Sequence, residues 1–200
     1  MDEAQCQACR LHTVRTQVVV GRGPQPAQVM VLGEAPGRDE DRTGRGFQGA
    51  AGRVFEDILA FLGLRREEIW LANAVRCRPS VDGKRNRAPR PDEIAACRQW
   101  LVRDLATVQP KAVVTLGRVA FESVTGHPWD GNQRVQPVRI SETTEVLGLY
   151  HPAYLIYRRN LKSAYRDDLW RLRARLGALN IELGPPRGPW TSGDEQGGGS

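Results

Sequence analysis

Three short motifs carry side chains suited to chemistry on a bound ligand, and each follows an apolar run typical of a buried strand. LGEAPG (32–37) contains Glu34 in a tight turn, NAVRCRP (73–79) begins at Asn73, and YHPAYL (150–155) contains His151. A carboxylate can activate water, an amide can read the hydrogen-bonding edge of a base, and an imidazole can donate to a developing negative charge. The glycine-rich turn also leaves backbone amides available to an anion.

The alternating apolar pattern predicts the elements that position these motifs. Strands are expected at 27–33, 69–75, 111–117 and 146–150, and helices at 51–64, 91–109, 118–126 and 167–179. This alternation indicates an α/β fold, with three α/β/α layers around a central, mainly parallel four-stranded sheet. Ligands of such folds bind outside the carboxyl ends of the strands, where all three motifs fall. One domain is expected over 1–183, followed by a disordered Gly/Pro-rich tail over 184–200.

Composition narrows the class of protein. The chain is 40% hydrophobic and 26% charged, contains no apolar run of the ~18 residues that span a bilayer, and begins with the polar segment MDEAQCQACR. We therefore expect a cytoplasmic protein without membrane contact. The net charge is +6, with basic side chains concentrated at 76–90 and 151–175. Such segments are either well-solvated surface or contacts for a polyphosphate such as DNA.

The familiar loop motifs of other enzyme classes are missing. No glycine is followed by Lys-Ser or Lys-Thr at the spacing of the phosphate-binding G-x-x-x-x-G-K-[ST] loop, and no G-x-S-x-G elbow occurs. We therefore expect no nucleotide cofactor.

Four cysteines in a chain expected to be cytoplasmic predict a metal site rather than disulfides. Cys6 and Cys9 form C-x-x-C, whereas Cys77 and Cys97 lie far downstream and do not form a second C-x-x-C knuckle. An iron–sulfur cluster tolerates such long separations between its thiolates and is favoured over zinc, which stays open. Buried, unliganded cysteines are the remaining alternative.

Taken together, these motifs closely resemble the family 4 uracil-DNA glycosylases, the iron–sulfur branch of that superfamily. The resemblance rests on C-x-x-C, GEAPGRDEDRTGRGFQGAAG, NAVRCRP, the PDE…C helix, TLG and YHPAYL, in family order over 6–158. It implies excision of uracil from DNA and a 4Fe–4S cluster on Cys6, Cys9, Cys77 and Cys97. Such an enzyme must flip the nucleotide out of the duplex before it can cleave the glycosidic bond.

The implied substrate site contains an aromatic side chain that stacks on the base and an amide side chain that hydrogen-bonds to the edge of the base. Phe47 offers a flat face to a pyrimidine, unless it only anchors its loop. Asn73 can donate to uracil O4 and accept from N3–H, unless it caps a strand end. The remaining predicted substrate-binding residues belong to the loop after the first strand: Gly33, Ala35, Gly37 and Glu40.

The implied catalytic residues are His151 and Glu34. A neutral His151 with a fixed tautomer can stabilise charge on uracil O2 as the bond breaks, unless it merely caps the following helix. Ala35 occupies the position at which the best-known glycosylases of the superfamily carry an aspartate, so Glu34 is the candidate for water activation. Glu40, Asp41 or a backbone group are alternatives, although these acids could simply orient the loop.

The implied partner is uracil-containing DNA, bound by a monomer. Leu155 is a candidate wedge for the base stack, with ordinary helix packing as the alternative. The predicted DNA-binding residues are Arg78, Lys84, Arg85, Arg87, Leu155, Arg158 and Arg159. Two other readings of the chain are a non-catalytic iron–sulfur protein that binds damaged DNA and a zinc-stabilised nucleic-acid-binding domain.

Overall fold

A computed structural model describes residues 2–191. The sheet strands are β1 (Val29–Gly33), β2 (Trp70–Asn73), β5 (Ala112–Leu116), β6 (Val138–Arg139) and β7 (Glu145–Leu149), and a separate hairpin comprises β3 (Ser80–Val81) and β4 (Arg85–Asn86). The helices are α1 (Arg38–Thr43), α2 (Gly49–Leu62), α3 (Pro91–Val108), α4 (Arg118–Thr125), α5 (Ala153–Tyr157) and α6 (Lys162–Ala178). Short 3-10 turns at Glu3–Gln5, Arg10–Thr13, Arg66–Glu68 and Arg159–Leu161 complete the chain's regular structure over these residues.

The central sheet has five strands in the order β2-β1-β5-β7-β6. The first four are parallel and correspond to the four strands expected from sequence, so the α/β fold is confirmed. β6 adds a short antiparallel edge through the pairs Val138↔Val146 and Arg139↔Glu145. A two-residue strand is too short to leave a period-two pattern, which is why the sequence does not reveal it.

Helices cover both faces of the sheet, because successive residues of a strand point to opposite sides. Along β1, Val29 and Val31 join the core under α2 and α6, whereas Met30 and Leu32 join the core under α3 and α4. β1, β2, β5 and β7 are buried along their whole length, as expected for parallel strands between two helical layers.

The carboxyl ends of the parallel strands meet at one edge of the sheet. Gly33 and Asn73, the last residues of β1 and β2, are direct register partners. The pairing continues into the loops, since Ala74 N donates to Gly33 O at 2.8 Å and Val75 N donates to Glu34 O at 3.0 Å. The loops that carry Glu34 and Asn73 therefore leave the sheet side by side.

The expected disordered tail is corrected over 184–191. Gly184 N donates to Gly63 O at 2.9 Å and Arg187 N donates to Ala60 O at 3.0 Å, which ties this segment to the end of α2. Trp190 is buried, and its ring centroid lies 5.7 Å from that of Tyr165 in α6. The segment is rich in glycine and proline, so its composition predicts disorder even though Trp190 packs into the core. The rest of the expected tail, 192–200, lies outside the described residues.

Helices within 2–191 are all too short or too polar to cross a bilayer.

Trp190→Ala should lower the free energy of unfolding by about 3 kcal/mol, the cost of removing a buried aromatic side chain. Trp170→Ala is the matched control, because Trp170 is 45% exposed and contributes mainly one edge-to-face contact with Phe61, worth about 1 kcal/mol. Denaturant unfolding measures both costs, and equal costs would contradict docking of the 184–191 segment.

Candidate active site

A cleft of about 530 Å³ opens at the carboxyl edge of the sheet. It brings together seven residues that the sequence places in three separate loops: Glu34, Ala35, Gly37, Glu40, Phe47, Asn73 and His151. Arg87 and Tyr154 also line it. The convergence expected of these motifs is therefore present in the structure.

Gly33 lies at the point where the two recognition side chains meet. A Cβ atom at this position would lie 2.3 Å from Asn73 Oδ1 and 2.8 Å from a ring carbon of Phe47, closer than such atoms approach in proteins. Only glycine leaves room for the amide and the ring at the end of β1. Its contribution to the site is therefore steric as well as through its backbone.

The Phe47 loop is held in a conformation that a free loop would rarely adopt. Phe47 has a φ of +57°, in the left-handed region that costs a residue with a side chain about 1–2 kcal/mol. The Arg66 guanidinium donates to Gly46 O at 2.9 Å and to Phe47 O at 3.0 Å. Behind the ring lies Phe55, with the two centroids 4.6 Å apart. Phe47 is thus held in place as part of the cleft wall, with 8% of its surface exposed.

Glu40 secures the same loop from the other side. Its Oε2 accepts from Gly37 N at 3.0 Å and its Oε1 accepts from Gln48 N at 2.9 Å. Asp41 is likewise engaged, because it accepts from the backbone and hydroxyl of Thr16 at 2.9 and 2.8 Å. Each oxygen of Glu40 thus holds a backbone amide and orients the loop, and Glu40 also lines the cleft, so its predicted substrate contact stays a prediction.

Asn73 presents an open amide on a rigid base. Its residue is only 5% exposed, and within 2–191 its side chain makes no hydrogen bond, although its backbone carbonyl accepts from Arg76 Nη1 at 2.8 Å. Arg76 is itself fully buried, with Glu3 Oε1 2.9 Å from its Nε and Asp104 bonded to its Nη2. The strand end is therefore fixed while its amide is left for a ligand.

His151 has a defined tautomer. Ala153 N donates to His151 Nδ1 at 3.2 Å, and a backbone amide can only donate, so the neutral ring carries its proton on Nε2. Burial lowers the pKa of His151 because the low-polarity surroundings disfavour the imidazolium. The cleft thus contains a neutral N–H donor.

Glu34 is half-buried and lines the same cleft as His151. Burial raises the pKa of its carboxyl above the usual glutamate range, and the positive charge of Arg118 opposes part of that rise. No group of residues 2–191 donates a hydrogen bond to this carboxylate, in contrast to Glu40. An unpartnered carboxylate of raised pKa has the properties of a general base.

Comparison with known proteins assigns the fold to a family. The family model described as "Uracil DNA glycosylase superfamily" matches residues 20–172. The chain belongs to this superfamily. The Type-4 uracil-DNA glycosylase of Archaeoglobus fulgidus is 36% identical over 175 residues, covering 84% of this chain and 86% of that protein. Those of Thermotoga maritima and Sulfurisphaera tokodaii are 36% and 35% identical, each over 84% of this chain and over 88% and 79% of their own lengths.

The cysteines of this superfamily member converge away from the cleft. Cys6, Cys9, Cys77 and Cys97 are all free and line one small cavity together with Arg15 and Trp100. Three N–H groups point at sulfur: Arg76 N to Cys97 at 3.2 Å, Trp100 Nε1 to Cys6 at 3.4 Å and Arg15 Nη1 to Cys77 at 3.4 Å. Four convergent thiols with N–H donors to three of them suit a group bound by thiolates.

Within 2–191, no three His, Cys, Asp or Glu side chains are placed to hold a metal ion as they stand. Burial raises the pKa of Cys77 and raises that of Cys97 to about 12, so both thiols need a compensating positive centre to ionise.

Two predicted DNA-binding arginines have other partners in the structure. Arg78 is buried and donates to Asn86 Oδ1 at 2.7 Å and to the carbonyls of Gly83 and Lys84 at 3.1 Å, so it holds the β3–β4 hairpin together. Its predicted DNA contact is corrected for that reason. Arg87 forms a two-pronged pair with the buried Glu93 at 2.6 and 2.8 Å, although it still lines the cleft.

The other predicted DNA-binding residues divide by exposure. Lys84, Arg85 and Arg158 are exposed, and the side chain of Arg159 lies outside what the structure describes. Leu155 is 4% exposed and packs into the core, so the wedge prediction is corrected. One turn of α5 directs Leu155 inward and leaves its neighbours Tyr154, Ile156 and Tyr157 at the surface.

Sequence reasoning missed the two arginines that organise the site. Arg66 clamps the Phe47 loop from a 3-10 turn before β2, and no local pattern links it to that loop. Arg76 stood in the sequence only as part of a basic run, yet it is among the largest fully buried side chains. Both act through backbone carbonyls, which sequence patterns do not record.

The His151 ring should charge only below the usual histidine range near pH 6.5, because burial lowers its pKa. Nitrogen NMR of the folded protein should show the neutral ring protonated on Nε2, with the exposed rings of His12 and His127 as reference signals in the same spectra. A ring protonated on Nδ1, or one that charges above pH 6.5, would refute the assigned geometry.

Proposed function

We propose that this protein hydrolyses the N-glycosidic bond of a flipped-out uracil in DNA and leaves an abasic site. The observation that carries the proposal is one cleft that holds a fixed aromatic ring, an unpartnered amide and a neutral N–H donor. The ring can stack on a pyrimidine, the amide can hydrogen-bond to its Watson–Crick edge, and the N–H donor can stabilise it as it leaves. The Type-4 relatives bear the name uracil-DNA glycosylase, which agrees with this chemistry.

Selection of uracil over cytosine falls to Asn73. Its amide donates to uracil O4 and accepts from N3–H, whereas cytosine presents the reverse pattern at both positions. The amide is nearly buried and the strand end beneath it is fixed by Arg76, so it cannot move away from a mismatched edge. Each unpaired group left by cytosine costs about 1–3 kcal/mol.

Departure of the base falls to His151. As the bond between C1′ and N1 breaks, its electron pair passes to uracil, and negative charge collects at O2. The Nε2–H donor stabilises that charge in the transition state more than in the ground state, which is the condition for catalysis. A neutral donor suffices because uracil leaves as an anion.

Attack by water falls to Glu34. Its carboxylate stabilises the cationic sugar and accepts a proton from the attacking water, whose oxygen forms the new bond to C1′. Support comes from its half-buried, unpartnered state in the same cleft as His151. Glu40 is engaged by two backbone amides, which favours Glu34 over Glu40 for this step.

A 4Fe–4S cluster on Cys6, Cys9, Cys77 and Cys97 is part of the proposal. Cys6, Cys77 and Cys97 are buried and Cys9 is partly buried. These four residues would hold the cluster, and its positive iron centres would stabilise their thiolates. Zinc bound by the same four cysteines is the alternative. Since hydrolysis transfers no electrons, its expected task is structural.

DNA contacts are proposed for the exposed members of the predicted set. Lys84 and Arg85 on the β3–β4 hairpin and Arg158 after α5 carry their charges on either side of the cleft. The aromatic and aliphatic tips of Tyr154, Ile156 and Tyr157 replace Leu155 as the surface that meets the base stack, since Tyr157 is 85% exposed.

The purified protein, with thiolate-to-iron absorption confirmed, should release uracil from a uracil-containing oligonucleotide and leave alkali-labile sites. Asn73→Ala should lower the single-turnover rate by about 30-fold or more, because two hydrogen bonds to the edge are lost. Asn132→Ala is the matched control, since Asn132 is exposed and lies outside the cleft.

Uracil-free DNA should stay intact under the same conditions. Tight binding of uracil-containing DNA without any alkali-labile product would overturn the proposal in favour of a non-catalytic protein that binds damaged DNA.

A further inference from the structure

A second groove of about 620 Å³ lies on the other side of the Phe47 loop from the cleft; we call it the flank groove. Its walls come from the segment before β1, the Phe47 loop, the start of α2 and the turn before β2. Phe47, Gln48 and Gly49 line both the flank groove and the cleft, so the two are neighbours across one loop.

The flank groove carries an excess of uncompensated positive charge. Four arginines and two glutamates line it, but Arg66 is engaged by Glu56 at 2.7 Å. Glu67 lies 3.6 Å from Arg65, outside the groove lining. This leaves three exposed guanidinium groups without a partner among residues 2–191: Arg22, Arg45 and Arg53.

Most arginines within 2–191 bind a carboxylate or a carbonyl oxygen, although Arg85 and Arg187 also lack such a partner. Examples are Arg134 with Asp168, Arg175 with Glu145 and Arg173 with Leu62. Three free guanidinium groups around one concave surface therefore differ from the general pattern. Guanidinium matches the geometry of phosphate oxygens through paired N–H donors.

The groove is shaped in advance of any ligand. Arg22 forms an isolated antiparallel bridge with Leu71, with N–O distances of 3.0 and 2.8 Å, which fixes its backbone on the edge strand β2. A Cβ at Gly23 would lie 2.2 Å from Ile69 O, so the chain packs tightly there. The Arg66 clamp fixes the opposite wall. Binding therefore requires little ordering of the backbone.

We propose that the flank groove binds backbone phosphates of the DNA strand that flanks the flipped nucleotide, through Arg22, Arg45 and Arg53. This inference rests on the proposed function, because a strand whose base enters the cleft must continue past Phe47. Val20 and Leu71 supply an apolar floor against which deoxyribose rings can pack. The occupant is thus a nucleic-acid strand, selected by charge rather than by sequence.

The test is a salt titration of binding to uracil-free DNA, so it does not depend on excision. Each phosphate contact contributes about 0.7 to the slope of log K against log[salt] for single strands and about 0.9 for duplexes. The double variant Arg22→Gln/Arg53→Gln should lower that slope by about 1.4 to 1.8. Arg139→Gln is the control, because Arg139 is exposed in β6, beside Glu145 at the amino end of β7, and lines neither groove. The slope of this variant should not change.

In a separate binding measurement, a uracil-containing oligonucleotide trimmed from each end in turn locates the strand. Removal of nucleotides on one side of the uracil should weaken binding to the unaltered protein and leave the double variant unaffected. Equal slopes for the unaltered protein and a folded double variant would overturn the proposal, including the case in which the groove binds another protein. If the double variant does not fold, Arg53→Gln alone, at an exposed position on α2, should still remove about one contact.

Failure of the two proposals is distinguishable. If the double variant changes the salt slope but the protein never releases uracil, the flank-groove proposal stands and the glycosylase proposal fails. If the protein releases uracil but the double variant leaves the salt slope unchanged, the glycosylase proposal stands and the flank-groove proposal fails.

Discussion

The site depends on a missing side chain at the end of β1. Parallel register sets Gly33 beside Asn73, and the Phe47 ring comes down on the same spot, so a single Cβ would displace both. The parallel register alone would bring the loops after β1 and β2 together, but the side chains of Phe47 and Asn73 could not meet if Gly33 carried a Cβ. The absence of one carbon atom turns two adjacent loops into one recognition surface.

A network of buried and partly buried charges holds the backbone of Asn73 in the position for which Gly33 leaves room. Arg76 holds the carbonyl of Asn73, and its charge is balanced by Glu3 from the amino-terminal turn and by Asp104 from α3. Removing one partner of such a network leaves a buried charge uncompensated, at a cost of about 3–5 kcal/mol. Because Cys6 N donates to Glu3 O and Arg76 precedes Cys77 in the chain, the same network connects the cysteine cavity with the end of β2 that carries Asn73. The amino-terminal segment is thereby part of the site although it never touches the cleft.

Much of this arrangement follows from the sequence, and the exceptions have a common cause. Apolar runs and the rule that ligands bind at carboxyl strand ends predict the four parallel strands and the convergence of Glu34, Asn73 and His151. One error arose where a residue type has two uses: Arg78 has the chemistry of a DNA contact, but its guanidinium is bonded to Asn86 and to two carbonyl oxygens of its own hairpin. Leu155 was misplaced because a one-residue rotation of a short helix exchanges the core face for the surface. Composition also failed for the 184–191 segment, because burial of the single Trp190 side chain holds in place a segment whose glycine and proline content predicts disorder.

Alanine at Gly33, compared with alanine at Gly46, tests the central constraint most directly. A Cβ at Gly46 would come no closer than 4.0 Å to Val19 Cγ1, and its backbone conformation is ordinary, so the two changes differ mainly in what the added carbon meets. With folding and iron absorption verified for both, Gly33→Ala should lower the single-turnover rate of uracil release by about 100-fold, the effect of a misplacement near 1 Å. Gly46→Ala should remain close to the unaltered protein. Equal rates for the two variants would contradict the account.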